Sequence, residues 1–216
     1  MPGARSLPAA LAGFLALAGL GCDLRAPAPR IPHATRSAAA LLREGPHDLA
    51  VIEVEGLGEI RIELLSELAP RTVARFAELA GAGFYDGLTF HRVVPGFVIQ
   101  GGCPFTRNED PRDDGKGGSG TPVQDEFNDL PQLRGVVAMA HKGSPGTADS
   151  QFYIVHRDSR FLDGDYTAFG RVVAGLDVVD AITALEIDTW GRYGPESRPY
   201  PRDARIASVR IEPHSP

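Results

Sequence analysis

The six residues Glu59-Ile60-Arg61-Ile62-Glu63-Leu64 alternate charged and apolar side chains without a break. A backbone that turns successive side chains to opposite sides sends Ile60, Ile62 and Leu64 to one face and the charges to the other. A helical period does not fit this run, so the chain holds a strand with one buried face, and such a strand needs neighbours. Residues 49–55 supply the first neighbour across Gly56-Leu57-Gly58, which has the composition of a tight turn. Further short strands fit residues 88–93, 97–101, 135–140, 151–156, 168–173 and 204–212. That makes about eight strands, punctuated by turn-forming residues. Only two stretches read as helix. Residues 70–80 place Val73, Phe76, Ala77 and Ala80 on one face, with Pro70 tolerated in the first turn and Gly81 or Gly83 beyond the end. Val178, Val179, Ile182 and Leu185 repeat the pattern after Gly175. The expected architecture is β-dominated: a closed eight-stranded antiparallel barrel with an α-helix over each mouth.

Composition narrows the function classes. The 216 residues carry a formal net charge of −6 without a basic stripe, which argues against nucleic acid as the main partner. Apolar residues make up 43%, ordinary for a globular domain, and no run approaches the ~20 residues of a spanning helix. A monomer is expected.

The amino terminus reads as an address. Arg5 is followed by a mostly apolar run over residues 7–20, the length of a signal-peptide core and too short to cross a bilayer. It ends in Ala18-Gly19-Leu20-Gly21-Cys22, which resembles a bacterial lipoprotein signal, with Gly19 where Leu is usual. On this reading residues 1–21 are removed and Cys22 becomes the lipid-bearing first residue, anchoring the protein to a membrane surface in the periplasm or cell envelope. Ordinary secretion with cleavage nearby, or an uncleaved segment, are the alternatives. Residues 22–47, with Pro27, Pro29, Pro32 and Pro46, form a Pro- and Ala-rich tether with room for a helical turn or two near residues 38–43. The folded domain covers residues 48–213 and leaves a tail of 214–216. The second cysteine, Cys103, is then a lone thiol; a Cys22–Cys103 disulfide is the competing possibility.

Several motifs lead nowhere. Gly115-Lys116-Gly117-Gly118-Ser119-Gly120 matches the dinucleotide-binding glycine pattern, but Pro122 follows and neither strand nor helix frames it. Ser144 and Ser150 do not sit in a nucleophile elbow. The six His are scattered, and Asp113-Asp114 and Asp163/Asp165 read as loop acids, so no metal is expected. Nothing supplies a nucleophile with a base beside it; if the domain is an enzyme, its chemistry should need neither metal nor covalent intermediate, and no cofactor is expected.

Two dense segments carry the function. One is Gly83-Phe-Tyr-Asp-Gly-Leu-Thr-Phe-His-Arg-Val-Val-Pro-Gly-Phe-Val-Ile-Gln-Gly-Gly102; the other is Ser150-Gln-Phe-Tyr-Ile-Val155 with Phe161-Leu-Asp-Gly-Asp-Tyr-Thr-Ala-Phe-Gly-Arg-Val172. Strand alternation puts Phe90, Arg92 and Val94 on one side and His91 and Val93 on the other, so Arg92 and Phe97 can flank one pocket after the Pro95-Gly96 turn. Together the segments resemble the cyclophilin family of peptidyl-prolyl isomerases, in order, over about residues 48–213. The resemblance implies catalysis of X-Pro bond rotation in proline-containing peptides and unfolded proteins. That rotation faces a barrier of ~18–20 kcal/mol because the nitrogen lone pair is delocalised into the carbonyl. An enzyme need only stabilise the twisted state, in which the lone pair is localised and can accept a hydrogen bond.

By the same resemblance Arg92 donates to the prolyl nitrogen and Gln100 orients Arg92 or the peptide. Gln151 lines the adjoining groove. Phe97, Val98, Tyr153, Leu162 and Tyr166 form the proline pocket, with Phe161 at its rim. Ala140 and His141 offer backbone contacts. Phe161 stands where cyclosporin-sensitive members carry Trp, and Tyr153 and Tyr166 add hydroxyls to the usual aromatic wall. The long connections 103–124 and 188–203, the latter holding Trp190, hold accessory contacts or are surface decoration. The competing functional class is a membrane-tethered peptide-binding chaperone or scaffold with little isomerase activity; binding alone would not require Arg92.

Overall fold

The computed structural model describes residues 47–108, 110–186 and 203–214. The apolar run, Cys22, most of the tether and the segment with Trp190 lie outside the described residues. Eight strands follow in chain order: β1 (Leu49–Val54), β2 (Gly58–Leu64), β3 (Arg92–Val94), β4 (Val98–Gly101), β5 (Val136–Met139), β6 (Phe152–Val155), β7 (Ala168–Ala174) and β8 (Ile206–Glu212). Helix α1 (Pro70–Gly81) lies between β2 and β3, and α2 (Leu176–Ala184) follows β7. All strand pairs are antiparallel, in the spatial order β3-β4-β6-β5-β7-β2-β1-β8. Register shifts at Glu53/Val54, Arg61/Ile62 and Val137/Ala138 are the irregularities by which a sheet bends on itself.

Closure differs from the expectation. The edge strands β3 and β8 are not laddered to each other; the chain just ahead of β3 spans the seam. Thr89 bridges Arg205, Phe90 N–H donates to Ala204 O (3.0 Å), and Ile206 N–H donates to Leu88 O (2.7 Å). The single strand expected over residues 88–93 is thus two pieces, one serving the start of β8 and the other pairing with β4. The break falls at His91 and resets the alternation. Phe90 and Val93 both point into the core at 0% exposure, so Phe90 does not share a face with Arg92.

Alternation elsewhere holds and sorts side chains into two apolar groups. Ile99, Val137, Met139, Phe152, Ile154 and Phe169 face inward, joining Ile60, Ile62 and Leu64 of the opening hairpin. Phe76 of α1 meets Phe152 edge-on (5.5 Å between centroids) and also contacts Tyr85 and Phe169 (5.0 and 5.2 Å). Edge-on aromatic pairs add about 0.5–1.5 kcal/mol each beyond area burial. The other face of the same strands shows Val98, Val136, Ala138, Tyr153 and Val155, with Phe97, Ala140, Leu162 and Tyr166 packed against them. The site is built on this second face.

Helix α1 buries Val73, Phe76 and Ala80 as its spacing requires, with Thr72 and Leu79 beside them; Ala77 is only partly covered. Its amino end lacks a capping side chain of its own. Glu126, far along the chain, accepts from Arg71 N–H (3.1 Å), Thr72 N–H (2.9 Å) and the Thr72 hydroxyl (2.8 Å). A carboxylate there satisfies orphan amides and faces the positive end of the helix dipole. In α2, Val178, Val179 and Ile182 are buried and Leu185 is partly so.

Candidate active site

The register of the sheet lines up one transverse row. Arg92 of β3 lies opposite Gln100 of β4, Gln100 opposite Tyr153 of β6, and Tyr153 opposite Ala138 of β5. Above this row opens a cleft of about 520 Å³, lined by Arg92, Phe97, Val98, Gln100, Ala140, His141, Gln151, Tyr153, Leu162 and Tyr166. Every cleft residue expected from sequence is among these except Phe161. That ring stands outside, 73% exposed, stacked on Phe97 at 5.5 Å between centroids.

The polar half of the cleft is one directed hydrogen-bond chain. Gln151 Nε2 donates to Gly115 O and Gly117 O, both at 2.7 Å. An amide nitrogen carries two hydrogens, so these carbonyls occupy both, and the Gln151 oxygen is left to accept from Gln100 Nε2 (2.9 Å). Gln100 must then turn its own oxygen to Arg92, whose Nη1 lies 3.4 Å away. The guanidinium carbon also sits 5.6 Å from the centre of the Phe97 ring, a cation–π distance. Arg92 is therefore held from two sides.

The apolar half is an aromatic corner. Tyr166 meets Tyr153 edge-on (5.5 Å, 86°), and His141 stacks flat on Tyr166 (4.4 Å, 8°). Tyr153, 4% exposed, donates its hydroxyl to Gln132 Oε1 (3.2 Å). Gln132 was not expected from sequence. Buried at 0% exposure, it also accepts at its carbonyl from Ser159 N–H (2.8 Å), and its own N–H donates to Asp163 Oδ1 (2.7 Å). It thereby ties Tyr153 to the loop that carries Phe161 and Leu162. Burial pushes the Tyr153 phenol up, helped by Tyr166 and Asp163. Burial and Asp165 raise that of Tyr166, against the opposing pull of Arg92. Both phenols stay neutral in the ordinary pH range.

The structure also answers what the connection after Cys103 does. Arg112, Gly115, Lys116 and Gly117 form a second wall of the cleft. The glycines that mimic a dinucleotide fingerprint have a packing reason. A Cβ at Gly118 would lie 2.4 Å from Asp149 Oδ2, and one at Gly117 would lie 3.0 Å from the Phe105 ring. Asp149 needs that approach to accept from Ser119 N–H (2.9 Å) and Gly120 N–H (3.0 Å). Cys103 is buried and pairs with no other cysteine among the described residues, and its Sγ accepts from Gly115 N–H (3.2 Å). His91 lines the same cleft as Arg92, contrary to the expected alternation, because the strand begins only at Arg92. Among the described residues no cluster of His, Cys, Asp and Glu could hold a metal ion, and no helix is long and apolar enough to cross a membrane.

A fold of this kind, with an arginine fixed beside an aromatic pocket on the outer face of a curled sheet, invites comparison with known isomerases. Residues 49–211 match the family model "Cyclophilin type peptidyl-prolyl cis-trans isomerase/CLD". The chain belongs to the cyclophilin-type peptidyl-prolyl cis-trans isomerases. It is 44% identical over 148 residues to a peptidyl-prolyl cis-trans isomerase of Synechococcus elongatus, covering 65% of this chain and 96% of that one. It is 47% identical over 126 residues to peptidyl-prolyl cis-trans isomerase B of Bacillus subtilis, covering 57% and 82%. Among solved structures it resembles the crystal structure of a cyclophilin type peptidyl-prolyl cis-trans isomerase of Cryptosporidium parvum, with TM-score 0.65 and 29% identity over 79% of this chain and 99% of that one. A second structure of that protein, in the presence of the dipeptide Ala-Pro, matches with TM-score 0.61 and 26% identity, covering 78% and 99%.

Proposed function

We propose that the protein is an exported, membrane-tethered prolyl isomerase that speeds X-Pro rotation in envelope or secreted proteins, with Arg92 as the catalytic residue. The proline ring sits against Phe97, Val98, Tyr153, Leu162 and Tyr166, while the carbonyl half of the bond turns. As the bond twists, the prolyl nitrogen becomes pyramidal and gains a localised lone pair, to which the guanidinium donates. The interaction is absent in either planar ground state, so it lowers the barrier and does not merely tighten binding. No proton is transferred.

The observation that carries this reading is the chain from Gly115 and Gly117 through Gln151 and Gln100 to Arg92. It fixes the donor before substrate arrives, and a preorganised donor costs no reorganisation in the twisted state. Ala140 N–H donates to Gln151 O (2.9 Å), so a substrate bond at Ala140 uses its carbonyl. Support for export comes from Arg5, the apolar run over residues 7–20 and the Gly21-Cys22 junction.

A protease-free isomerase assay on a proline peptide tests the activity: the wild type accelerates exchange and Arg92→Ala loses about a hundredfold or more. A wild-type rate equal to background would leave a peptide-binding chaperone as the better account. Mass spectrometry of the mature amino terminus tests the address; an unmodified Cys22 inside an uncleaved chain would overturn it.

A further inference from the structure

We infer that His156 is a positioning residue for the isomerase site, holding the Pro95-Gly96 turn, and through it Phe97, by a hydrogen bond that only the neutral imidazole accepts. The inference rests on the assignment of Arg92 and Phe97 to the prolyl site above.

Gly96 N lies 2.8 Å from His156 Nδ1. A backbone N–H can only donate, so Nδ1 is the bare nitrogen and the ring proton is on Nε2. Nε2 then donates to Asp180 Oδ1 (3.1 Å). Asp180 is fixed in turn by Arg134, whose Nη2 reaches both carboxylate oxygens (2.8 and 2.9 Å) while its Nη1 donates to His156 O (2.8 Å). The main chain of His156 grips the same turn a second time, donating its N–H to Phe97 O (2.8 Å). One residue therefore holds Gly96 and Phe97 on both sides of their shared peptide bond. The Phe97 ring carries the consequence into the cleft, because it stacks on Phe161 and lies under the Arg92 guanidinium.

The charged groups around the imidazole are Asp180 from α2 and Arg134 from the segment before β5, with Arg157 and Asp158 next to it in its own loop. Asp158 accepts from Arg134 N–H (2.8 Å) and so braces the same cluster. The turn itself offers only a backbone N–H. A second proton on the ring sets N–H against N–H at Gly96 while leaving the contact to Asp180 intact. The ring is drawn toward α2 and the turn is released. Prolyl rotation moves no proton, so a fall in rate on going from about pH 8 to about pH 5 reports on a positioning group and not on the chemical step.

The test compares wild type with His156→Asn, His156→Gln and His156→Leu on an uncharged proline peptide across that range, with kcat and KM separated and folding checked by thermal melting. Asn places a carbonyl oxygen near the position of Nδ1 at every pH, whereas Gln reaches toward Asp180 instead. Wild type should lose about threefold to tenfold on acidification, the worth of one hydrogen bond. His156→Asn should keep the neutral rate and lose that slope, while His156→Gln and His156→Leu should start near the low rate. The Gly96 amide resonance of wild type should move with the same midpoint. His91 and His141 also line the cleft and are the same in every variant, so they do not distinguish one variant from another. A slope in His156→Asn as steep as that of wild type, or equal rates for Asn and Leu, overturns the inference. If Arg92→Ala keeps the wild-type rate in the same assay, the prolyl-site assignment fails instead, and the Gly96 resonance still decides whether the clamp exists.

Discussion

Gln151 and Gln100 meet oxygen to nitrogen at 2.9 Å, and only one orientation of that contact is open to them. Gln151 has both amide hydrogens on the carbonyls of Gly115 and Gly117, so its oxygen faces Gln100. The Gln100 oxygen is in turn directed to Arg92. The glycine-rich loop over residues 115–120 thus sets the direction of an arginine two side chains away.

Gln151→Ala removes the anchor and lets the Gln100 amide rotate. The expected result is a drop in kcat of about tenfold with KM nearly unchanged, since a catalytic donor loses its orientation while the proline pocket stays intact. Steady-state kinetics on a proline peptide check it; a rise in KM alone would place Gln151 in substrate binding.

Glu126→Ala should lower stability by about 1–2 kcal/mol, because it strips the cap from α1 and leaves the Arg71 and Thr72 amides without their carboxylate. Urea unfolding measures this. Isomerase activity per folded molecule should not change, as Glu126 lies outside the cleft.

Glu63 predicts an acid-side loss of stability. Burial alone would raise its carboxyl, but hydrogen bonds from Arg171 and His47, with their charges, outweigh burial and hold it below the usual carboxylate range. A carboxyl depressed on folding stabilises the native state above its unfolded value, and that stabilisation is lost as pH falls through the folded value. Glu63→Gln should therefore be less stable than wild type at pH 7 by about 1 kcal/mol, with the gap narrowing in acid. Unfolding curves at several pH values report it; a constant gap would contradict the assignment.

Phe161 bears on drug binding. The ring is exposed and carries no N–H to donate, whereas the family resemblance implies a Trp at this place in cyclosporin-sensitive members. Wild type should be weakly inhibited by cyclosporin, and Phe161→Trp should tighten inhibition by about tenfold, the worth of one hydrogen bond. Nanomolar inhibition of wild type would refute this.

Much of this was legible in the sequence because strand alternation is a local property. The period-two run at Glu59–Leu64 and the turn before it predict β1 and β2 nearly to the residue. Most of the expected cleft residues lie in two dense segments that carry the family resemblance, with Ala140 and His141 outside them. What could not be read depends on distant pairing. The switch of residues 88–94 from β8 to β4 follows from the need to span the seam, and it moves Phe90 inward and His91 to the cleft. Glu126, Gln132 and His156 act on elements dozens of residues away, and nothing in their neighbouring residues signals it. The glycines at 115, 117 and 118 were visible, but their meaning required Gln151 and Asp149 to be placed beside them.

In the proposed mechanism Arg92 acts on the twisted bond and not on the resting peptide. Exchange spectroscopy on a proline peptide at saturating concentration, with affinity measured on the same samples, separates the two for wild type and Arg92→Ala. Exchange should fall by about a hundredfold or more while Kd changes by less than about threefold. Exchange that is unaffected, or that falls only in step with lost affinity, would contradict it.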